Sequence, residues 1–420
     1  MTFLIAAVCL WSNVYALLQE WRWKSPFLAF PLCLLAIFSL PNLYYGIAET
    51  EFTASAHQVA SLWGTLFFVC YTFFRKVTRG AVRLAAPGGE ENDPAALSTA
   101  CKLSGLIIFA ATILQMAFYR FSLQAMMASS WQSHREAADS TLLLSTYLFF
   151  AAASYTLTSL RIKGRFGLLF SLGLVLYSVL ILKSRGLVVS LAMPVFVYYF
   201  AHARLTRGHL VRLSGFLAVF FLLYLGARSV RHAGSLNDFR GKTGSEVIES
   251  SPTDLGDFSL VKSFYHFFDD RFPDKFNENI TLWRVATILV PSRFKPEPAQ
   301  VDFSLILFEA YYVQSASRGS FHATAVADSY FNDRYLGFAL YSFLYAFTFT
   351  IAEFFARRRR LLYNLLYGPY VLVSFYIGRG SITNGYYILL FCVMLHACAV
   401  VAHAILPLKI RRLLFRETFS

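Results

Sequence analysis

Apolar residues along this chain run in long unbroken stretches rather than in alternation, separated for the most part by short polar connections. Most stretches approach the roughly 20 residues that a helix rising about 1.5 Å per residue needs to cross a hydrocarbon layer. About eleven spans follow, near residues 2–18, 26–47, 56–74, 103–123, 141–160, 166–182, 187–202, 211–228, 335–356, 361–377 and 384–405. In a layer without water only helices and closed barrels satisfy their own backbone hydrogen bonds, and continuous runs select helices over period-two strands. The expected fold is an all-α polytopic membrane bundle.

Two connections break the rhythm. Residues 75–102 contain Pro87-Gly88-Gly89 and Glu90-Glu91-Asn92-Asp93-Pro94, the composition of a flexible turn-rich connector. Residues 229–334 are too long for a connector and form a large external loop, between a first region of eight spans (1–228) and a last region of three spans and a tail (335–420). Within the loop, Phe258 to Phe276 carries aromatics near helical spacing beside charges, as in a helix lying in the membrane interface. Two further runs, 281–290 and 303–313, are too short to span and are expected to be re-entrant or interfacial.

Composition agrees: 57% hydrophobic against 15% charged residues, with a mean hydropathy of +0.51, excludes a soluble enzyme core. The net charge of +14 and pI near 9.5 would suit nucleic acid or acidic lipid, so the placement of the charge decides. Basic residues gather in alternate connections: Arg22 and Lys24; Arg75, Lys76, Arg79, Arg83 and Lys102; Arg161, Lys163 and Arg165; Arg204, Arg207 and Arg212; Arg357 to Arg360; and Lys409 to Arg416. By the positive-inside bias those connections are cytoplasmic, which puts the N-terminus outside and the C-terminus inside. The excess is a topology signal and lends no support to nucleic-acid binding. Cys9, Cys33, Cys70, Cys101, Cys392 and Cys398 fall in spans or on the inner side, with no disulfide framework and no CxxC metal motif. Val14-Tyr15-Ala16 resembles a signal-peptide cleavage site, but with no basic segment before it the first stretch is expected to be a membrane helix.

Candidate chemistry collects at three external corners: Ser184-Arg185-Gly186, Ser317-Arg318-Gly319 and Gly378-Arg379-Gly380. A guanidinium at the membrane boundary offers a planar fork for phosphate or carboxylate, and a following glycine lets backbone N–H groups approach the same anion. Arg228 and Arg334, at the two ends of the loop, add cations at that boundary. The competing reading is plain: Arg-Gly recurs at 79–80, 207–208 and 240–241, and boundary arginines also snorkel to lipid phosphates. The segment from Arg318 to Gly337 concentrates His322, Asp328, Asp333 and Arg334 just before a span. There His322 titrates nearest neutrality, and Asp328 and Asp333 are further acid–base candidates if burial raises their pKa values, against the alternative of a solvated pre-helix. Tyr265 and Tyr311 offer flat aromatic faces to a ligand, against the alternative of an interfacial aromatic belt.

With these residues in place, the chain resembles the Wzy-like polysaccharide polymerases and the related O-antigen ligases. The resemblance lies in the span count, the Ser184-Arg185-Gly186 corner, the large external loop ending in His322 to Gly337, and Arg379-Gly380-Ser381 before the last span. It covers roughly residues 165–390 as a pattern of short motifs. It departs from the ligases in that Ala323 follows His322, and from some polymerases in lacking glycine eleven positions after Arg228, Arg240, Arg293 and Arg318. The resemblance implies an inner-membrane enzyme of bacteria acting on undecaprenyl-pyrophosphate-linked oligosaccharide, with Arg185, Arg318 and Arg379 on the pyrophosphate and His322 serving the acceptor. It implies no cofactor and no metal, and a chain-length regulator as a partner beside the membrane lipids.

Two rival functions remain. A metal-dependent polyprenyl-phosphate sugar transferase would draw on Glu49 and Glu51 in the first outer connection. A flippase for lipid-linked sugars would show broken helices and polar groups at mid-membrane. Here Pro194 and Gly173 are the main interruptions, and Glu353, four residues before Arg357, reads as half of a helix-end pair.

Overall fold

The computed structural model describes residues 2–48, 52–82, 94–122, 139–162, 165–181, 185–202, 260–271, 279–287, 322–358, 360–380 and 382–405, with scattered positions in 206–222 and 290–308. Among them every regular element is helical. In chain order these are α1 (Thr2–Arg22), the composite α2 (Pro26–Ile47), α3 (Ala54–Val82), α4 (Pro94–Phe118), α5 (Asp139–Arg161), α6 (Arg165–Leu176) and α7 (Arg185–His202). After the loop come the short α8 (Lys262–His266), α9 (Ile280–Ala286) and α10 (Ala325–Asn332), then α11 (Gly337–Arg357), α12 (Arg360–Gly378) and α13 (Ile382–Ile405). Helices occupy ten of the expected spans; the eighth, 211–228, lies largely outside the described residues. Five helical segments are long and apolar enough to cross a membrane: Thr2–Arg22, Pro26–Ile47, Leu97–Ala117, Gly337–Arg357 and Leu361–Gly378. The chain is thus an all-helical membrane protein over the described residues.

The chain divides into two units. One comprises residues 1–84, 250–354 and 373–387; the other comprises 85–249, 355–372 and 388–420. In the first, α1 buries a stripe at three- and four-residue spacing, Ala6, Cys9, Asn13, Ala16 and Glu20. It faces the matching stripe of α3, where Gly64 allows close approach: a Cβ there would stand 2.7 Å from Cys9 Sγ and from the Phe38 ring. Lys24, at φ +50°, ends α1, with Ser25 N–H donating to Glu20 O at 3.1 Å as in a Schellman closure; Pro26 then opens α2 under the Ser25 cap. In the second unit α5 is the centre. Gly368 of α12 lies so close to α5 that a Cβ would meet Ala153 O at 2.4 Å, and Arg161 donates to Asn364 Oδ1 at 3.0 Å while covering the Tyr198 ring.

Two expectations change. The described part of the loop's aromatic segment is packed rather than laid open on one face: Phe264, Tyr265 and Phe267 are buried within the first unit, where Phe264 stacks on Tyr330 and Phe267 on Phe331. The ionisable residues at the basic end of the spans are not all solvated either. Arg75 is buried between Glu20 and Glu353, at 2.8 Å from Glu20 Oε1 and 2.7 Å from Glu353 Oε2. Glu353 also binds Arg79, whose guanidinium covers the Trp23 ring at 4.5 Å. Tyr71 donates to Glu20 at 2.8 Å, and Thr350 Oγ1 accepts from Arg75 at 2.6 Å. Two arginines and two glutamates cancel in charge, and the cluster ties α1, α3 and α11 together.

Candidate functional site

The short helix α10 organises the polar end of the first unit. Thr324 caps it, its Oγ1 accepting from Ala327 N–H at 3.2 Å, and Asp328 sits in the first turn where the helix dipole favours a carboxylate. Most of α10 is nevertheless buried, which replaces the solvated pre-helix that its charges suggested. Asp328 is 2% exposed; its Oδ1 accepts from Thr281 Oγ1 at 3.0 Å and from Asn332 Nδ2 at 3.3 Å. Asn332 in turn accepts from Thr281 N–H at 3.1 Å, so one carboxylate and one amide moor α9 on α10. From the other side Trp63 Nε1 donates to Ser329 Oγ at 2.9 Å. Asp328 is therefore sunk beneath the surface, the burial on which its candidacy as acid or base depends, and it fastens α9 to α10.

The turn after α12 meets the strand-like segment leading into α10. Gly380 adopts φ +92°, and a Cβ there would lie 1.2 Å from Ala323 O, so the backbones of 380 and 323 are in direct contact. This contact brings Arg379 and His322 to the same edge, each one residue from the touching pair and each half-buried. Nearby, Asp333 closes the chain into α11, its Oδ1 accepting from Tyr335 N–H at 2.9 Å and Leu336 N–H at 3.0 Å. Arg334 places its guanidinium over the Phe267 ring at 5.2 Å, neither merely solvated nor aligned with lipid alone.

The other residues singled out are placed differently. Arg185 opens α7 in the second unit. Arg318, Arg228, Tyr311, Glu49 and Glu51 lie outside the described residues. Tyr265 is buried with its hydroxyl donating to Asn42 Oδ1 at 2.7 Å, and Tyr45, Phe52 and His57 pack around its ring. That makes it a core residue and not an open sugar platform, and burial pushes its phenol well above the usual range, so it stays neutral. Asp269 is taken up by Thr53, whose Oγ1 donates to it at 2.6 Å at the start of α3. Among the described residues no group of three or more His, Cys, Asp and Glu side chains is arranged to hold a metal ion.

Sequence reasoning missed Thr281, Asn332 and Trp63. Asn332 carried a readable signal, since it follows Asp328 by four residues and so shares its helix face; Trp63 and Thr281 carried none, because their partners lie 266 and 47 residues away. Comparison with known proteins adds no relative: no family model, no curated protein and no solved structure matches the chain.

Proposed function

We propose that this chain is a membrane glycosyltransferase that polymerises polyprenyl-pyrophosphate-linked oligosaccharide repeat units, as in O-antigen synthesis, at the outer face of a bacterial cytoplasmic membrane. The reading keeps eleven spans and the large external loop. The observation that carries it is the meeting of the His322 and Arg379 segments, where the backbone of Gly380 touches that of Ala323. The 21 residues of α11 extend about 31 Å, close to the thickness of a hydrocarbon core. A cation-rich helix end belongs on the cytoplasmic side, so the Gly337 end of α11 faces the outer boundary, where the phosphates of a lipid carrier reside.

The chemistry follows from that depth. The terminal sugar hydroxyl of one lipid-linked unit bonds to the anomeric carbon of the growing glycan. The bond from that carbon to the pyrophosphate oxygen breaks, its electron pair leaves with the pyrophosphate, and His322 takes the hydroxyl proton. Arg379 meets the charge that grows on the leaving group; losing one such donor typically costs about 3 kcal/mol of transition-state stabilisation. Asp328 holds α9 and α10 in register. The test is to incubate purified protein with a synthetic lipid-linked repeat unit, with and without chelator. A ladder of products that survives chelation supports the reading. A single addition to lipid A core would make the chain a ligase, activity rescued only by manganese would favour the carboxylate–metal alternative, and movement of substrate across vesicles without product would make it a flippase.

A further inference from the structure

A groove opens between α1 and α3 on the face of the first unit away from α2 and α11, and nothing in the proposed reaction uses it. Its volume is about 570 Å³, within the range of small-molecule sites, and Val8, Trp11, Phe68, Val69 and Phe73 make its walls. Trp11 is 72% exposed and Phe73 60%, so this face is not covered by the described residues. At one end the lining turns polar: Lys76 Nζ donates to Tyr15 OH at 2.8 Å and lies 5.0 Å from the Tyr15 ring centroid. The neighbouring arginines are occupied, Arg75 by Glu20 and Glu353 and Arg79 by Glu353. Lys76 is exposed and has no carboxylate partner among the described residues; Arg22, also exposed, is two helical turns beyond Tyr15 and within electrostatic reach of its hydroxyl.

We propose that this groove binds one anionic phospholipid of the leaflet at the basic end of the helices, its acyl chain along Trp11 and Phe73 and its phosphate on Lys76, Tyr15 and Arg22. The tail supplies fit but little selectivity, because lipid chains are as apolar as the side chains they touch. Selection comes from the head: Lys76 keeps two N–H donors after binding Tyr15, and Tyr15, having accepted from Lys76, keeps its own O–H to donate to a phosphate oxygen. A net negative headgroup gains from both cations, whereas a zwitterionic one carries its own ammonium to the same place. Each basic residue at such a surface strengthens binding roughly fivefold.

The test uses the fluorescence of Trp11. The full chain is reconstituted in phosphatidylcholine vesicles containing acyl-brominated phosphatidylglycerol or acyl-brominated phosphatidylcholine, and the Trp11 signal is taken as the difference from Trp11→Phe. The phosphatidylglycerol should quench that signal with an apparent affinity at least about fivefold higher. Lys76→Gln should remove most of that preference, while Lys102→Gln, an exposed lysine of the other unit, should leave it intact. Equal quenching by the two lipids, or a preference that survives Lys76→Gln, overturns the assignment. Absence of quenching by either lipid means that protein covers the groove, and overturns it as well.

Discussion

Replacing Arg75 by methionine keeps most of the side-chain volume and removes the one guanidinium that touches both Glu20 and Glu353. Arg79 still neutralises Glu353, but Glu20 is left buried with the Tyr71 and Ser25 hydroxyls as hydrogen-bond partners and no cation in contact. Breaking a buried pair by deleting one partner costs about 3–5 kcal/mol, most of it the penalty of the stranded charge. The second substitution Glu20→Gln removes that charge while its amide oxygen still accepts from Tyr71, so the double variant should regain at least about 2 kcal/mol of the loss. Arg75→Lys should not substitute, because an ammonium cannot reach Glu20, Glu353, Thr350 and Ser25 together from a single point. The assay is denaturation in mixed detergent micelles, followed by tryptophan fluorescence, across the four members of the cycle. If the double variant is as unstable as the sum of the two single variants, the cluster is not a charge-balanced tie and the reasoning fails.

Three further expectations rest on separate contacts. Gly380→Ala forces a Cβ into Ala323 O from a backbone at φ +92° and should cost at least about 2 kcal/mol, read as a lowered thermal midpoint in detergent together with lost polymer ladder. Asp328→Ala leaves Thr281 and Asn332 without their shared acceptor; it should destabilise by about 3 kcal/mol and speed hydrogen exchange at residues 280–286, whereas Asp328→Asn should do less. The Tyr345 hydroxyl is buried with no hydrogen-bond partner among the described residues, so Tyr345→Phe should be neutral or stabilising by up to about 1 kcal/mol; a clear loss of stability would mean that the hydroxyl has an acceptor.

The helices were legible from the chain alone because a hydrocarbon solvent leaves little choice: an apolar run of that length must satisfy its backbone internally. What hydropathy hid was the distance between the end of an apolar run and the end of a helix. The run in α3 stops near residue 74, but the helix continues to Val82, carrying Arg75 and Arg79 against neighbouring helices instead of into a solvated connection. Glu353 looked like half of an intrahelical pair for the same reason, since spacing reports neighbours on one helix and says nothing of the helix packed opposite.

At the candidate site the residue types were visible and their depths were not. His322, Arg379 and Asp328 stood out as ionisable groups beside spans, yet only the contact of Gly380 with Ala323 brings the first two to one edge and only the packing of α9 on α10 sinks the third. Membrane class, helical character and the ends at which charge collects are properties of local composition acting against a uniform apolar solvent, so one dimension suffices for them. Which arginine is neutralised, which tyrosine is core and which backbones touch depend on pairings across tens to hundreds of residues, and those energies exist only once the helices have packed.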